Sequence, residues 1–389
     1  MKASVPPPPP QPPRSVRGPP AAIGMRIEDV DTPALIIDLS AFERNLDAMA
    51  AATAGTGIRV RPHAKTHKSP DIARLQIARG AVGVCCQKVS EAEALVDGGA
   101  GEIGDVLVTN QIVGAPKVRR LAELARRVRI GVCVDDIAQV EPIGAAAADA
   151  GSYLDVYVEL DLGQGRCGVA KPADVVTLAQ RVITYPALRF AGLQAYHGRA
   201  QHIREPDERR RAILNARAMV AAAKEALANA GIATQIVTGA GTGTFRIETA
   251  SGWDEIQPGS YVFMDADYSR NRWNADDPAF EHSLFVLSTV ISTAGGRLIV
   301  DAGLKSYSVD SGLPQAPDAP GWQFARASDE HGVLTPASSA PPLSIAIGET
   351  LRLVPGHCDP TVNLHDWYVG VRNGHVETLW PITARGAIF

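Results

Sequence analysis

Short apolar runs alternate with longer amphipathic stretches from Thr32 to about Asp267. The runs are rich in Val, Ile and Leu without polar alternation, which is typical of strands buried on both faces of a parallel sheet. The longer stretches repeat apolar residues at the spacing of amphipathic helices. The predicted strands are 33–38, 58–61, 81–85, 105–109, 130–134, 154–159, 188–195, 235–238 and 259–264. The predicted helices include 115–127, 137–150, 172–185 and 207–230.

Eight strands remain when the first is set aside, and eight is the number in a (β/α)8 barrel. Polar residues with reactive groups follow these strands at their carboxyl ends, where the active sites of such barrels are built. A doubly wound sheet would instead collect them at one crevice, and it is the weaker alternative. We therefore predict an α/β protein with a TIM-like (β/α)8 barrel over residues 41–268.

The pattern changes after Asp267, where strand-like runs have few helices between them. Asn373-Gly374 is a strong hairpin signal. These features predict a mostly-β C-terminal domain over 269–389, with which the N-terminal strand in 25–40 is expected to pair. The strand-like runs of this domain are 284–293, 298–301, 350–354, 367–371 and 376–380.

Composition excludes several classes of protein. The formal charge of the 389 residues is only −4, so no nucleic-acid or membrane-surface partner is indicated. No apolar run approaches the roughly 20 residues of a spanning helix. The five cysteines lack the spacing of a disulfide framework, which favours a cytoplasmic protein. Residues 1–24 are dense in proline and are predicted to be a disordered extension, with folding from Met25.

The stretch 61–68 is strongly basic, with one arginine, two histidines and two lysines. It follows a predicted strand and precedes a helix start at Ser69-Pro70-Asp71. A solvated basic loop is the ordinary interpretation. The alternative is a site for a phosphorylated anion, in which a lysine with a depressed pKa acts as a nucleophile.

A glycine-rich loop, TGAGTGT at 238–244, leaves the seventh barrel strand. A tight turn between strand and helix also uses glycine. In the barrel assignment, however, the loop occupies the phosphate-binding position after strands seven and eight, and Ser260-Tyr261 adds the second half. A phosphate site opposite a lysine after strand one suggests pyridoxal phosphate.

Nine motifs in order, spread from about Thr32 to Arg385, resemble one family. They are RPHAKTHKS (61–69), VGVCCQKVSEAEAL (82–95), DLGQGRCGV (161–169), LQAYHG (193–198), TGAGTGT (238–244), PGSYVFMDADY (258–268), VDAGLKSYSVDSGLP (300–314), SDEHG (328–332) and PGHCDPTVNLHDWYVG (355–370). The chain resembles the fold-type III, alanine racemase-like pyridoxal phosphate enzymes. Within them it resembles the D-threonine aldolase and 3-hydroxy-D-aspartate aldolase family, which is related to eukaryotic-type D-serine dehydratase.

The resemblance implies roles for the residues that hold the cofactor. Lys65 is similar to the Schiff-base lysine, Arg166 to the arginine at the phenolic oxygen and Tyr196 to the group facing the pyridine nitrogen. Gln87 is expected near the ring, with core packing as its alternative. Lys68 rivals Lys65 by spacing, but we expect it to be solvated. The remaining cofactor-binding residues are Thr238, Gly241, Thr242, Ser260 and Tyr261.

The pair His357 and Asp359 is the predicted metal site. One imidazole and one carboxylate suit Mg²⁺ or Mn²⁺ completed by water and substrate. The resembling aldolases carry H-x-D, whereas the dehydratases carry H-x-C with zinc. Cys358 lies between the two ligands and is interpreted as a non-ligand, so zinc is less favoured without being excluded.

The resemblance implies a carbon–carbon lyase that cleaves β-hydroxy-D-amino acids, such as D-threonine and 3-hydroxy-D-aspartate, to glycine and an aldehyde. His202, or a metal-bound water that it orients, is expected to remove the hydroxyl proton, and His63 is a candidate proton relay. A homodimer with the active site near its interface is also expected. The main alternative is a dehydratase that forms a keto acid and ammonia, and a non-catalytic cofactor carrier is a minor one.

Overall fold

The computed structural model describes residues 18–99, 101–337 and 341–389. In chain order the strands are β1 (Ala34–Asp38), β2 (Arg59–Val60), β3 (Val84–Cys86), β4 (Asp105–Gln111), β5 (Arg129–Val134), β6 (Leu154–Glu159), β7 (Leu188–Ala195), β8 (Ile236–Gly239), β9 (Glu255–Ile256), β10 (Leu284–Ser292), β11 (Leu298–Val300), β12 (Trp322–Ala327), β13 (Gly332–Pro336), β14 (Thr350–Leu353), β15 (Trp367–Arg372) and β16 (His375–Pro381). The helices are α1 (Leu39–Thr53), α2 (Pro70–Ile77), α3 (Val89–Gly98), α4 (Ala115–Leu124), α5 (Ile137–Ala150), α6 (Pro172–Ile183), α7 (Pro206–Asn229), α8 (Phe245–Thr249) and α9 (Cys358–Val362).

Helix α5 illustrates how local sequence produces these elements. The Asp136 side chain accepts a hydrogen bond from Ala138 N at 2.8 Å, which satisfies one of the free donors at the helix start. Val140, Ile143 and Ala147 recur at helical spacing and are fully buried. Gly151 ends the helix at a φ of 63°, a conformation that costs glycine little.

Strands β2 to β9 form a parallel barrel. From β3 to β9 each strand pairs with the next along the chain, and β9 pairs with β2. The ring closes between β2 and β3, because Ala64 N donates to Cys85 O at 2.7 Å and Cys85 N donates to Pro62 O at 2.8 Å. The predicted α/β barrel is therefore confirmed, and aliphatic side chains between its strands and outer helices form the largest core.

The prediction of the eighth barrel strand at 259–264 is wrong. The strand is β9, three residues upstream, and Ser260–Val262 forms a 3₁₀ turn. Pro258 has no N–H to donate to a ladder, and a Cβ on Gly259 would lie 2.5 Å from Thr66 Oγ1. The chain therefore turns inward at this point. Its apolar residues are buried between the barrel and the β domain instead of within the sheet.

A second sheet contains the C-terminal strands in the order β12-β13-β11-β10-β1-β15-β16, with β14 pairing to β10. Strand β1 lies in the middle, antiparallel to β10 and parallel to β15, as expected for the N-terminal strand. Asn373 and Gly374 form the turn between β15 and β16, with φ values of 50° and 76°. The hairpin of β12 and β13 was not predicted, because residues of β12 such as Gln323 and Arg326 are polar and exposed.

The predicted boundary of the N-terminal extension is also wrong. Gly24 N donates to Val376 O at 2.8 Å, and Asp31 N donates to Pro20 O at 3.0 Å. Ala21 packs against the core of the second sheet. The domain therefore includes residues before Met25, while 1–17 lie outside the described residues. In the part of the chain that the structure describes, none of the helices has the length and apolarity needed to cross a membrane.

Candidate active site

A cavity of about 350 Å³ opens at the carboxyl ends of the barrel strands. Among the described residues, its charged lining consists of Lys65, Arg166 and Arg199, without any Asp or Glu. An excess of positive charge in a concave site favours anionic ligands. Predicted site residues that line the cavity are His63, Lys65, Gln87, Arg166, Tyr196, His202, Gly241, Thr242 and Ser260.

Lys65 follows β2 and forms an ion pair with Asp359 of the β domain. Burial by itself would lower the pKa of the Lys65 amine, but the Asp359 carboxylate outweighs this effect and raises the pKa above its ordinary value. The expectation of a depressed lysine pKa is therefore wrong for this form of the protein. An ammonium is not nucleophilic, so the Asp359 carboxylate opposes the reactive, neutral form of Lys65.

The other cations of the basic stretch do not face the cavity. Lys68 is buried and pairs with Glu91 at 2.6 Å, so the prediction that it is solvated is wrong. Arg61 is 1% exposed and binds Glu255 at 2.9 Å and Asp105 at 2.7 Å, at the amino ends of two barrel strands. Both residues stabilise the barrel, and Lys65 alone among these three carries charge into the site.

Arg166 and Tyr196 approach each other across the cavity. Arg166 lies in the loop after β6, with its guanidinium carbon 6.0 Å from the Tyr196 ring centroid and Nη2 3.5 Å from Glu159 Oε1. Tyr196 directly follows β7. Burial raises the pKa of the Tyr196 phenol, so the ring presents a neutral hydroxyl.

A hydrogen-bonded group joins three neighbouring strand ends beside Lys65. His63 Nε2 lies 3.0 Å from Thr109 Oγ1 and 3.0 Å from Gln87 Nε2. Burial lowers the pKa of His63 well below its ordinary value, so this imidazole is neutral. These contacts hold the His63 and Gln87 side chains in place beside Lys65.

The glycine-rich loop is held against the cavity by Gln201, which is completely buried. Gln201 Oε1 accepts from Gly243 N at 2.9 Å, and Gln201 Nε2 donates to Thr244 Oγ1 at 2.8 Å. A Cβ on Gly241 would lie 2.5 Å from Gln201 Oε1, so the close approach requires glycine. Gly241 and Thr242 line the cavity next to Gly259 and Ser260.

Two predicted cofactor residues direct their side chains elsewhere. Thr238 Oγ1 donates to Glu255 Oε1 at 2.8 Å in the barrel interior. The Tyr261 hydroxyl accepts from Gln76 at 3.2 Å, and only its backbone N reaches the loop, donating to Thr242 Oγ1 at 3.0 Å. Neither side chain lines the cavity.

Glu248 lies in α8, directly after the glycine-rich loop, and is completely buried. Its Oε2 accepts from Thr244 Oγ1 at 2.6 Å, while Oε1 has no hydrogen-bond partner. Burial raises the pKa of this carboxyl to about 8. At neutral pH the carboxyl is largely protonated, so it adds little negative charge near the loop.

His202 is oriented by a carboxylate. Its Nδ1 lies 2.5 Å from Asp267 Oδ2, which leaves Nε2 directed away from that contact. Arg204 and Arg270 also bind Asp267, at 2.6 Å and 2.5 Å. Burial alone would raise the pKa of Asp267, but these hydrogen bonds lower it to about 2. The carboxylate is therefore charged throughout the ordinary pH range and holds the imidazole in place.

The predicted metal residues come from a β-domain segment that is tied to the barrel. Asp265, which is buried, accepts from Cys358 N at 3.0 Å and from Tyr268 N at 2.9 Å. This contact places Asp359 against Lys65. His357 Nδ1 lies 2.8 Å from Asp310 Oδ2, so Nε2 is its free nitrogen. Neither His357 nor Asp359 lines the cavity directly.

The chemistry of this segment fits a hard divalent cation. Among the described residues, Asp359 Oδ1 is buried without a hydrogen-bond partner. The charges of Lys65 and His357 overcome the effect of burial and hold the pKa of Asp359 well below its usual range. The Cys358 thiol donates to Met264 O at 3.2 Å instead of joining the pair. No cluster of three or more metal-binding side chains occurs within 18–99, 101–337 and 341–389. A cation here would take two protein ligands and complete its shell with water.

Sequence reasoning missed Arg199, Asp267 and Tyr268 as residues of the site. Asp267 and Tyr268 belong to the quoted motif 258–268, but nothing in their spacing connects them to His202. Arg199 lies three residues before His202, a spacing that places two residues on one face of a 3₁₀ helix. That signal becomes visible only after the 3₁₀ conformation is known.

Comparisons with known proteins agree with this geometry. Residues 37–267 match the model of the alanine racemase N-terminal domain, and residues 283–371 match a putative serine dehydratase domain. The structure of D-threonine aldolase from Filomicrobium marinum superimposes with a TM-score of 0.91 at 50% identity, covering 95% of this chain and 100% of that one.

Three relatives align over nearly the whole chain. D-Threonine aldolase from Arthrobacter sp. is 48% identical, covering 95% of this chain and 96% of the relative. The 3-hydroxy-D-aspartate aldolase of Paracoccus denitrificans (strain Pd 1222) is 46% identical, with 94% and 95% covered. D-threo-3-hydroxyaspartate dehydratase of Delftia sp. (strain HT23) is 30% identical, with 90% and 96% covered. The chain therefore belongs to the alanine racemase-like family that contains D-threonine aldolase and 3-hydroxy-D-aspartate aldolase.

Proposed function

We propose that the protein is a pyridoxal phosphate- and divalent metal-dependent carbon–carbon lyase. It cleaves β-hydroxy-D-amino acids, with D-threonine and 3-hydroxy-D-aspartate as candidate substrates, to glycine and an aldehyde. The observation that carries the proposal is the convergence of three groups. Lys65 and His202 line one cavity, and Asp359 of the other domain contacts Lys65 there.

Family membership implies dependence on pyridoxal phosphate, and the cavity fits that group. Lys65 would hold it covalently, and Arg166 and Tyr196 would contact its ring substituents. Thr242 and Ser260, which line the cavity beside the glycine-rich loop, would bind its phosphate. When bound, this cofactor delocalises the electron pair that is released from the broken Cα–Cβ bond.

His357 and Asp359 would hold Mg²⁺ or Mn²⁺, which supplies Lewis-acid chemistry toward a hydroxyl group. The unpartnered Asp359 Oδ1 and the free Nε2 of His357 support this assignment. Zn²⁺ is the weaker choice because the thiol of Cys358 is turned toward Met264 O. Asp310 would orient His357 through its Nδ1.

His202 is the group that we expect to move the substrate proton. Its Nε2 accepts the proton of the β-hydroxyl, while Nδ1–H donates to the Asp267 carboxylate. Arg204 and Arg270 keep Asp267 charged, so the imidazole stays in one tautomer and one orientation. As the Cα–Cβ bond breaks, the former hydroxyl oxygen becomes the carbonyl oxygen of the aldehyde.

Product analysis of the purified, cofactor- and Mn²⁺-loaded protein tests the proposal. With D-threonine we expect glycine and acetaldehyde, and with 3-hydroxy-D-aspartate we expect glycine and glyoxylate. A keto acid with ammonia in their place would show the dehydratase that remains the main alternative. The homodimer expected from the resemblance is tested separately by analytical ultracentrifugation.

A further inference from the structure

Among the cations of the cavity, Arg199 differs in having no partner. Lys65 is paired with Asp359, and Arg166 lies 3.5 Å from Glu159. Within the described residues, Arg199 makes no hydrogen bond or ion pair. It nevertheless lines the cavity, whose lining contains no Asp or Glu from the part of the chain that the structure describes. A guanidinium in this position is available for an anionic group of a ligand.

The 3₁₀ helix Gly198–His202 determines where Arg199 points. Gly198, Ala200 and Gln201 are buried and anchor the helix, and Gly198 N donates to Gln164 Oε1 at 2.9 Å. With three residues per turn, residues i and i+3 lie one above the other. Arg199 and His202 are therefore on the same face, and both line the cavity.

The position of the arginine matters because of the proposed role of His202. The imidazole must reach the β-hydroxyl of the substrate, which is bonded to Cβ. In 3-hydroxyaspartate the same carbon carries a carboxylate, whereas in threonine it carries a methyl group. A guanidinium one turn from His202 on the same face thus lies beside the β-carboxylate of one substrate and beside the methyl group of the other.

We infer that Arg199 binds the β-carboxylate of the substrate and gives the enzyme a preference for 3-hydroxy-D-aspartate over D-threonine. The inference rests on the proposed function and specifies the substrate class. The planar fork of arginine matches two carboxylate oxygens at once, which an ammonium does not. The methyl group of threonine offers no such partner.

The test compares wild type with Arg199→Gln, Arg199→Lys and the matched control Arg217→Gln, all loaded with cofactor and Mn²⁺. Arg217 is exposed on α7 and outside the cavity, so its substitution makes the same change in net charge elsewhere. The substrates are 3-hydroxy-D-aspartate, its neutral amide 3-hydroxy-D-asparagine, and D-threonine. Because Arg199 is exposed and, among the described residues, makes no hydrogen bond or ion pair, we expect unchanged melting temperatures and unchanged cofactor absorbance.

Arg199→Gln should lower kcat/KM for 3-hydroxy-D-aspartate roughly 10- to 100-fold, mainly through KM, since a charge-assisted hydrogen bond is lost. D-Threonine cleavage should fall far less than cleavage of 3-hydroxy-D-aspartate, and the preference of wild type for the acid over the amide should disappear. Arg199→Lys should lose part of the preference, and Arg217→Gln none.

Equal losses for all three substrates would assign Arg199 to the α-carboxylate or to the fold and overturn the inference. Loss of cofactor absorbance would assign it to the cofactor, with the same consequence. No change for any substrate, or a wild type that cleaves D-threonine but not 3-hydroxy-D-aspartate, would also overturn it while leaving the proposed lyase intact. A wild type that cleaves none of the three substrates would contradict both the proposed lyase function and the inference about Arg199.

Discussion

The two sides of the cavity are built by different means. On the barrel side, Lys65, Arg166 and Tyr196 follow strands of one parallel sheet, so the regular topology brings them together. On the β-domain side, a single segment carries His357 and Asp359 and is held by its contacts with residues 264–268. The first side depends on a repeated architecture, and the second depends on a few tertiary contacts.

The two sides meet in the Lys65–Asp359 ion pair, which couples them. Asp359 keeps the amine protonated, and the amine occupies the carboxylate that a cation would need. A cofactor bound to Lys65 removes the competing ammonium, and a cation at Asp359 removes the competing carboxylate. Binding on one side should therefore favour binding on the other, and reciprocally.

The largest expected effect is that of Lys65→Ala. Without the amine, the covalent hold on the cofactor is lost, and we expect activity to fall by roughly 10⁴-fold or more. The borohydride-reducible, yellow adduct should be absent, and Mn²⁺ should bind the cofactor-free variant more tightly than cofactor-free wild type. Lys305→Ala, an exposed lysine of the β domain, is the control. A reducible adduct in Lys65→Ala would move the attachment to another amine.

Asp359→Ala tests the β-domain side of the cavity. Removing a ligand of a Lewis-acid cation should slow cleavage by at least about 10²-fold. Cofactor absorbance should persist, because none of the groups expected to hold the cofactor is a metal ligand. A chelator should have the same effect on wild type, and Mn²⁺ should reverse it there but not in the variant. Full activity of Asp359→Ala in chelator would contradict the metal assignment, and Asp318→Asn serves as a control in the same domain.

Asp267→Asn tests whether the orientation of His202 matters. Loss of an orienting carboxylate typically costs about 10- to 100-fold, and we expect a fall in kcat of about 10-fold here. The double variant Asp267→Asn/His202→Asn should be no worse than His202→Asn alone, because the two residues act as one unit. Since the pKa of Asp267 is about 2, its protonation should not limit activity at pH 5. If the double variant instead lost activity by the product of the two single losses, Asp267 and His202 would have independent roles.

On the barrel side, Glu248 should make stability depend on pH. The pKa of Glu248 is raised from 4.5 to about 8, so its contribution to stability is present below pH 4.5 and is lost as the pH rises through 8. Glu248→Gln removes this pH dependence. As the pH rises from 5 to 9, the free energy of unfolding of the variant should therefore increase by about 2–5 kcal/mol relative to that of wild type. Melting curves across this range measure the difference, with exposed Glu225→Gln as control. Parallel curves for wild type and Glu248→Gln would show that the buried carboxyl is ionised.

Much of the fold follows from local patterns. The predicted strand 154–159 matches β6, and the predicted helix 137–150 matches α5. Both predictions succeed because burial of a strand on two faces and capping of a helix depend on residues that are neighbours in the sequence. The exceptions are 259–264, where a Pro-Gly turn overrides strand-like apolar residues, and the β12–β13 hairpin, whose residues are too polar to show a buried strand.

For the site, the sequence by itself determined which residues follow barrel strands and which motifs they belong to. The tertiary structure alone decided their charge states and partners. Lys65 and Asp359 are 294 positions apart, and their contact reverses the expected direction of the lysine pKa. Lys68 and Arg61 lie in the same basic stretch as Lys65, but they form ion pairs with buried carboxylates and do not face the cavity. A pKa depends on charges and burial within a few ångströms, and no local pattern specifies which distant residue will supply them.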